Sequence, residues 1–407
     1  MSEFFKKDDF IKNAYFFSLL LVCISLPFSN NWNSYFIVAF SFFSFFYIIK
    51  SKSYLSFNKN LLLPPVILYI SHYFGFLNSE NFQPVFFDIK QKLSLLIFPF
   101  AIGLAPKLSP QRVRIIFLFF IGTTFLVSVL TFRNGFYTAW QNFGLYDNLI
   151  LHRPYLGMYC VISTFFLIEF LLTESSLFSK IIISIVILFF FVFLVFIIAK
   201  MAIITQLVLL YLFFVFDFYQ RRSMKFLYAS ILLPFVIILI IIFTNNVISD
   251  YVFNIIHLND FSFKNYDSRI VNSFNIRFGL WKCSFESLAE NYNWIAGVGT
   301  GDSMQVINKC INNTMGGFFT GYDPHNQYLS YLINLGIIGL TLFLVTIIYP
   351  LLNSIKKKRR LQFIFIFAIA VFCLTEGIFN LQVGIVFFSL FYSLLVIKDY
   401  KDQSIIS

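Results

Sequence analysis

The chain has 407 residues, of which 59% are hydrophobic and only 12% charged, with mean hydropathy +0.80 and a formal net charge of +11. Soluble domains carry roughly 25% charged residues, so this balance, with repeated apolar runs near 20 residues, marks an all-α polytopic membrane protein and excludes a soluble globular fold. An outer-membrane barrel is excluded too: its strands alternate apolar and polar residues, whereas the runs at 181–198 and 226–243 are solid.

In chain order the apolar runs predict twelve spans, near 12–28, 34–49, 61–77, 93–106, 115–132, 154–173, 181–198, 202–217, 226–244, 327–350, 361–376 and 378–397. The first run is followed by no small-residue cleavage site and reads as a retained span. The seventh and eighth form almost one block, divided by Lys200; its roughly 37 residues are too many for one crossing of a ~30 Å core. With twelve crossings, 20 of the 30 basic residues fall in short loops on one side, Lys356 to Arg360 and both termini among them. The positive-inside rule makes that side cytoplasmic and reads the basic excess as a topology signal, not a nucleic-acid surface. The chain divides into spans 1–9 (1–244), a large outer loop (245–326), and spans 10–12 with a cytoplasmic tail (327–407).

Isolated basic residues remain on the outer side, several near membrane depth, where charge is costly and by default functional. Lys200 stands at the turn between spans 7 and 8, either as a snorkelling end to a helix or as a cation facing an anionic headgroup. Arg277 and Trp281 are four apart and share a helix face, where the guanidinium can stack on the indole or clamp a phosphate; Arg269 precedes them. His325, between Pro324 and Asn326, opens span 10 and can position or deprotonate a hydroxyl. His152 and Arg153 open span 6 beside Pro154, an ordinary helix-start residue, and Lys92 precedes span 4 as either a boundary charge or a cleft residue.

The run Gly297-Val298-Gly299-Thr300-Gly301 lacks a βαβ context and reads as a tight turn, not a nucleotide loop. No His, Cys or carboxylate grouping has metal-ligand spacing, and the site reads as basic rather than acidic. Cys283 and Cys310 share the outer loop and can pair if it faces an oxidising compartment; the sequence leaves that open.

The order of these features resembles the O-antigen ligase and O-antigen polymerase superfamily. The resemblance rests on Arg277 with Trp281, the glycine run, and Pro324-His325-Asn326-Gln327-Tyr328-Leu329 leading to Asn334-Leu335-Gly336-Ile337-Ile338-Gly339. A basic residue between spans 7 and 8 and the loop between spans 9 and 10 complete it. The family usually has Ser-Arg where this chain has Ala199-Lys200, and often Glu at the position of Asn334.

The resemblance implies a GT-C-like membrane glycosyltransferase with its active site on the periplasmic face of the bacterial inner membrane. It would transfer a glycan from undecaprenyl diphosphate to a lipid A–core or other glycan acceptor, with membrane lipid around it, by inversion and without cofactor, metal or nucleic acid. Lys200, Arg277 and Arg269 would bind the diphosphate, and His325 and Arg277 would be catalytic. Lys92, His152, Arg153, Trp281 and Asn326 are candidates for the cleft. A polymerase of the same superfamily is the alternative; a transporter of lipid-linked sugars fits less well, because the polar groups lie on one side only.

Overall fold

The computed structural model describes residues 10–28, 30–53, 59–141, 150–221, 273–290, 293–315, 321–398 and 400. The expected ninth span at 226–244 and Arg269 lie outside them. The described residues are helical and contain no strand. Among the described residues five helices are long and apolar enough to cross a membrane: Asn31–Ser51, Pro110–Gly135, Arg153–Thr173, Leu177–Phe196 and Gln327–Lys356. Shorter apolar helices accompany them at Phe10–Ser25, Lys200–Phe216, Arg360–Phe372 and Gln382–Ile397.

We number the helices α1 (Phe10–Ser25), α2 (Asn30–Ser51), α3 (Lys59–Ser71), α4 (Phe82–Lys92), α5 (Ser94–Gly103), α6 (Pro110–Gln141), α7 (Arg153–Thr173), α8 (Leu177–Phe196) and α9 (Lys200–Arg221). After them come α10 (Ser273–Glu290), α11 (Ser303–Met315), α12 (Gln327–Lys356), α13 (Arg360–Phe372) and α14 (Gln382–Phe391), the last continued by a π turn over Tyr392–Ile397. The predicted span 93–106 is shorter than expected, because α5 covers only Ser94–Gly103. The predicted span 378–397 starts late, after a 3₁₀ turn at Ile378–Asn380.

α7 is the central post. Its side chains from Tyr155 to Leu167 are all buried, and it packs on α6, α8, α9 and α13. α8 buries only Phe190, Phe193 and Leu194 and turns Ile185, Leu188 and Val192 outward. In lipid such a face carries no penalty, since acyl chains are as apolar as the side chains. α14 is buried along its length, and its phenylalanines interlock with those of α6, α7 and α13. Phe117 and Phe166 stack with centroids 4.3 Å apart. Aromatic rings bury much area with few rotatable bonds, so the phenylalanine-rich composition supplies this core.

The residues assigned to the basic side meet at one end of the bundle. Arg112 reaches the Lys12 carbonyl, Lys398 the Gly103 carbonyl at 2.9 Å, and Arg360 grips Glu169, its Nη2 lying 2.7 Å from Oε2. Glu169 is sixteen residues along α7 from Arg153, roughly 24 Å at ~1.5 Å per residue, so this end is far from the one that holds Arg153.

At the other end, the 293–302 segment is stapled to the bundle. Asp302 accepts the Glu80 and Asn81 amides at 2.7 and 3.1 Å, and Val298 donates to the Ile333 carbonyl at 2.8 Å. The helix α12 breaks at Gly336, φ +65°, where a β-carbon would fall 2.2 Å from the Ile295 oxygen. Opposite it, Gly297 adopts φ +75°, and a β-carbon there would meet the Asn334 and Gly336 backbones at 2.6 Å. These glycines let two backbones touch, so the glycine run makes a packing turn. Leu280, Leu288, Ile307, Ile311 and Ile333 form a small core beneath it, and a Cys283–Cys310 disulfide joins α10 to α11 with Cα atoms 5.5 Å apart. The structure thus pairs the two cysteines whose pairing the sequence leaves open.

Candidate active site

A cleft of about 710 Å³ opens at the end of the bundle that carries the first turns of α7 and α9. His152, Arg153, Lys200, Arg277, His325 and Glu376 line it, with Tyr322 beside them.

Each of these residues is delivered by a local device. α8 ends at Phe196 and is capped by Ile197, Ile198 turns left-handed at φ +53°, and the Ala199 amide reaches back to the Leu194 carbonyl at 3.1 Å. This tight reversal splits the apolar block, as the sequence predicts, and puts Lys200 at the first residue of α9. Pro154, with φ already helical, starts α7 beside His152 and Arg153. The amino-terminal turns of both helices line the cleft, so their dipoles favour an anion there.

The Pro324-His325-Asn326 motif is pinned at every residue. Trp281 Nε1 donates to the Pro324 carbonyl at 2.8 Å. His325 adopts φ +46°, and its amide donates to Asp323 Oδ1 at 3.1 Å. Asn326 caps α12, its side chain accepting the Leu329 amide at 3.1 Å. The cap starts α12, and the left-handed residue before it turns the imidazole to the cleft.

The imidazole meets a carboxylate that the sequence reading did not anticipate. Glu376, 5% exposed just beyond α13, stands with Oε2 3.3 Å from His325 Nδ1, while Oε1 accepts from Arg277 Nη2. Asp323 Oδ1 lies 3.4 Å from the same Nδ1. Glu376 is held in place by its surroundings: Tyr155 donates to the Gly377 carbonyl at 3.2 Å, and Gln327 Oε1 accepts the Phe379 amide at 2.6 Å. The site is therefore mixed in charge, which corrects the purely basic reading.

Burial pushes the His325 pKa down, but its hydrogen bond to Glu376 and the charges of Asp323 and Glu376 outweigh that, leaving it raised above 6.5. Burial lowers the His152 pKa, with Glu376 opposing. Two neighbouring imidazoles are thus pushed apart, and the one bound to a carboxylate is the better proton acceptor.

The structure gathers Lys200, Arg277, His325, His152 and Arg153 around one cleft. Trp281 holds the Pro324 carbonyl, and Asn326 is a helix cap. Lys92 does not line this cleft: it is 1% exposed and paired with Asp88, one helical turn back. Glu376 and Asp323 were missed. The signal for Glu376 was present, since an ionisable residue at the end of span 11 obeys the rule that singled out Lys200. Among the described residues one grouping has metal-ligand geometry, Cys283, Glu286 and Cys310, but the disulfide removes both thiolates as ligands.

No curated protein sequence matches the chain. A family model described as O-antigen ligase matches residues 184–344, the stretch that carries Lys200, Arg277, Trp281 and His325. Over that stretch the chain is similar to the O-antigen ligase family, whose members are membrane glycosyltransferase-like enzymes.

Proposed function

We propose that the protein is an O-antigen ligase with a GT-C-like architecture. It transfers a glycan from undecaprenyl diphosphate to a lipid A–core or related acceptor, on the periplasmic face of the inner membrane. The observation that carries this is the single cleft holding Lys200, Arg153 and Arg277 against a His325–Glu376 pair. The cations and helix starts receive a diphosphate, and the imidazole receives a proton.

In the reaction the acceptor hydroxyl attacks the anomeric carbon, forming the new C–O bond. The bond from that carbon to the diphosphate oxygen breaks, with inversion. The hydroxyl proton passes to His325 Nε2, because Nδ1 is committed to Glu376, which stabilises the imidazolium. Arg277 keeps one nitrogen on Glu376, and its remaining donors suit a phosphate. Lys200 and Arg277 hold the leaving diphosphate, and Arg269, outside the described residues, is a further candidate to bind it. Charge placed ahead of the reaction in a water-poor cleft is worth several kcal/mol to such a leaving group (~3 kcal/mol for one good donor).

The twenty basic residues of the short loops support cytoplasmic termini. The Cys283–Cys310 bridge supports an oxidising compartment for the loop.

The test is transfer by the purified protein in nanodiscs from a defined undecaprenyl-diphosphate glycan, with lipid A–core and lipid-linked glycan acceptors run in parallel. Product on lipid A–core is expected from a ligase. Product on the lipid-linked acceptor alone identifies a polymerase, and movement of the lipid-linked glycan across vesicles with no new glycosidic bond sinks the transferase reading.

A further inference from the structure

A second cavity, of about 430 Å³, backs onto the first. His152, Tyr322, His325 and Glu376 line both and form the wall between them. The volume is within the ~300–1,000 Å³ that small-ligand sites occupy.

The two cavities differ in charge. Lys200, Arg153 and Arg277 line the larger one, whereas no lysine or arginine is among the described residues that line the smaller. Asp88, Gln91, Asp323 and Asn380 line the smaller instead. Their polar groups are fixed from behind. Asp88 is held by buried Lys92 and by His72, whose Nδ1 stands 2.7 Å from Oδ2. Asn380 donates to Asp323 Oδ2 at 2.7 Å, and Gln91 donates to the Asn380 carbonyl at 2.8 Å. Two aromatic side chains, Phe87 (67% exposed) and Tyr322 (48% exposed), offer faces to the same space.

Fixed carboxylates and amides beside open aromatic faces suit a ring that carries hydroxyls and one apolar side. Hydroxyls donate to carboxylates, and charge-assisted hydrogen bonds are the stronger ones. Inversion also demands that the nucleophile approach from the side opposite the leaving group. With the diphosphate among the cations, that side lies across the His325–Glu376 wall.

We propose that the smaller cavity holds the sugar end of the acceptor and selects an uncharged pyranose over an anionic one, with Asp88 accepting from a sugar hydroxyl. This rests on the glycosyl-transfer reading of the larger cleft. A uronic acid would bring its carboxylate against Asp88 and Asp323 with no cation in the lining to receive it.

The experiment compares two acceptors of equal size, one ending in a neutral hexose and one in the matching uronic acid, using the full chain in nanodiscs. Binding of undecaprenyl diphosphate is measured separately. The neutral acceptor should lead in kcat/KM at least tenfold. Asp88→Asn should cost the neutral acceptor at least tenfold, chiefly in KM. Phe87→Lys, which places a cation at an exposed position in the lining, should erase most of the preference by improving the uronic acid, with carrier binding unchanged. Equal use of both acceptors, or a preference untouched by Phe87→Lys, overturns the proposal. Absence of carrier binding and of transfer to either acceptor overturns the reading of the larger cleft, and this proposal with it.

Discussion

Arg277 and Glu376 lie 99 residues apart and form an ion pair across the mouth of the cleft, with the second carboxylate oxygen of Glu376 3.3 Å from His325. One carboxylate therefore joins the cation that would hold a diphosphate to the base that would take a proton. It sets the imidazole's orientation and its affinity for protons at once.

Replacing Glu376 by Gln keeps the shape and removes the charge. The base form of His325 appears only as pH rises through its raised pKa. Wild-type transfer should thus climb with pH through an inflection above 6.5. In Glu376→Gln the inflection should move to lower pH, because the groups that raise it are weakened while burial still lowers it. The maximal rate should fall ~10²-fold, in the range of general-base losses. A pH–rate profile unchanged in position would remove Glu376 from the mechanism.

Arg277 and Lys200 should respond differently to the Arg–Lys exchange. Arg277→Lys loses the planar fork that holds Glu376 and would hold a phosphate with it, so transfer should drop by ~10-fold or more. Lys200→Arg keeps the charge at the start of α9 and should retain most activity. His325→Ala should abolish transfer, ~10²–10⁴-fold, without loss of carrier binding. Steady-state transfer assays and carrier-binding measurements on the three proteins decide the matter; equal effects in both Arg–Lys exchanges would refute the fork argument.

Trp281→Phe keeps the aromatic bulk on α10 and deletes the donor that pins the Pro324 carbonyl. Asn326→Ala removes the cap of α12, at a cost of ~1 kcal/mol. Both should lower kcat through a loosened His325, with little change in KM for the carrier. Asn326→Asp, a cap of equal quality, should restore the rate. If Asn326→Asp is as slow as Asn326→Ala, Asn326 touches substrate and is more than a cap.

The Cys283–Cys310 bridge joins two helices that flank the site, across a sequence separation of 27. Its loss by Cys283→Ser with Cys310→Ser should destabilise that unit by ~2–4 kcal/mol, seen as a lower unfolding temperature in detergent. The two thiols should react with maleimide only after reduction. Labelling without reductant in freshly isolated membranes would argue against the bridge and against an oxidising location for the loop.

Topology can be checked with exposed positions. A thiol reagent that does not cross membranes should reach Arg133→Cys from outside the cell and Lys357→Cys only after permeabilisation. The reverse pattern would invert the assignment drawn from the basic residues.

Hydropathy and charge are read one short window at a time, and so were legible. The apolar runs marked the helices, Lys200 marked the break between α8 and α9, and in the outer loop Arg277 stood out by its spacing to Trp281 and His325 by its place at the opening of a span. What those windows cannot carry is who faces whom. Lys92 reads like any other basic residue at a helix end, yet packing turns it onto Asp88 and away from the cleft. Glu376 ends one span among several, and only the fold of the 372–380 turn against α7 and α12 brings it between Arg277 and His325. The disulfide, the mutual fit of Gly297 and Gly336, and the charge difference between two adjoining cavities belong to the same class. Window by window, the chain predicts a helical membrane protein with isolated cations on its outer side. The tertiary structure alone decided which of those cations meet a carboxylate, because that depends on contacts between residues distant in the chain.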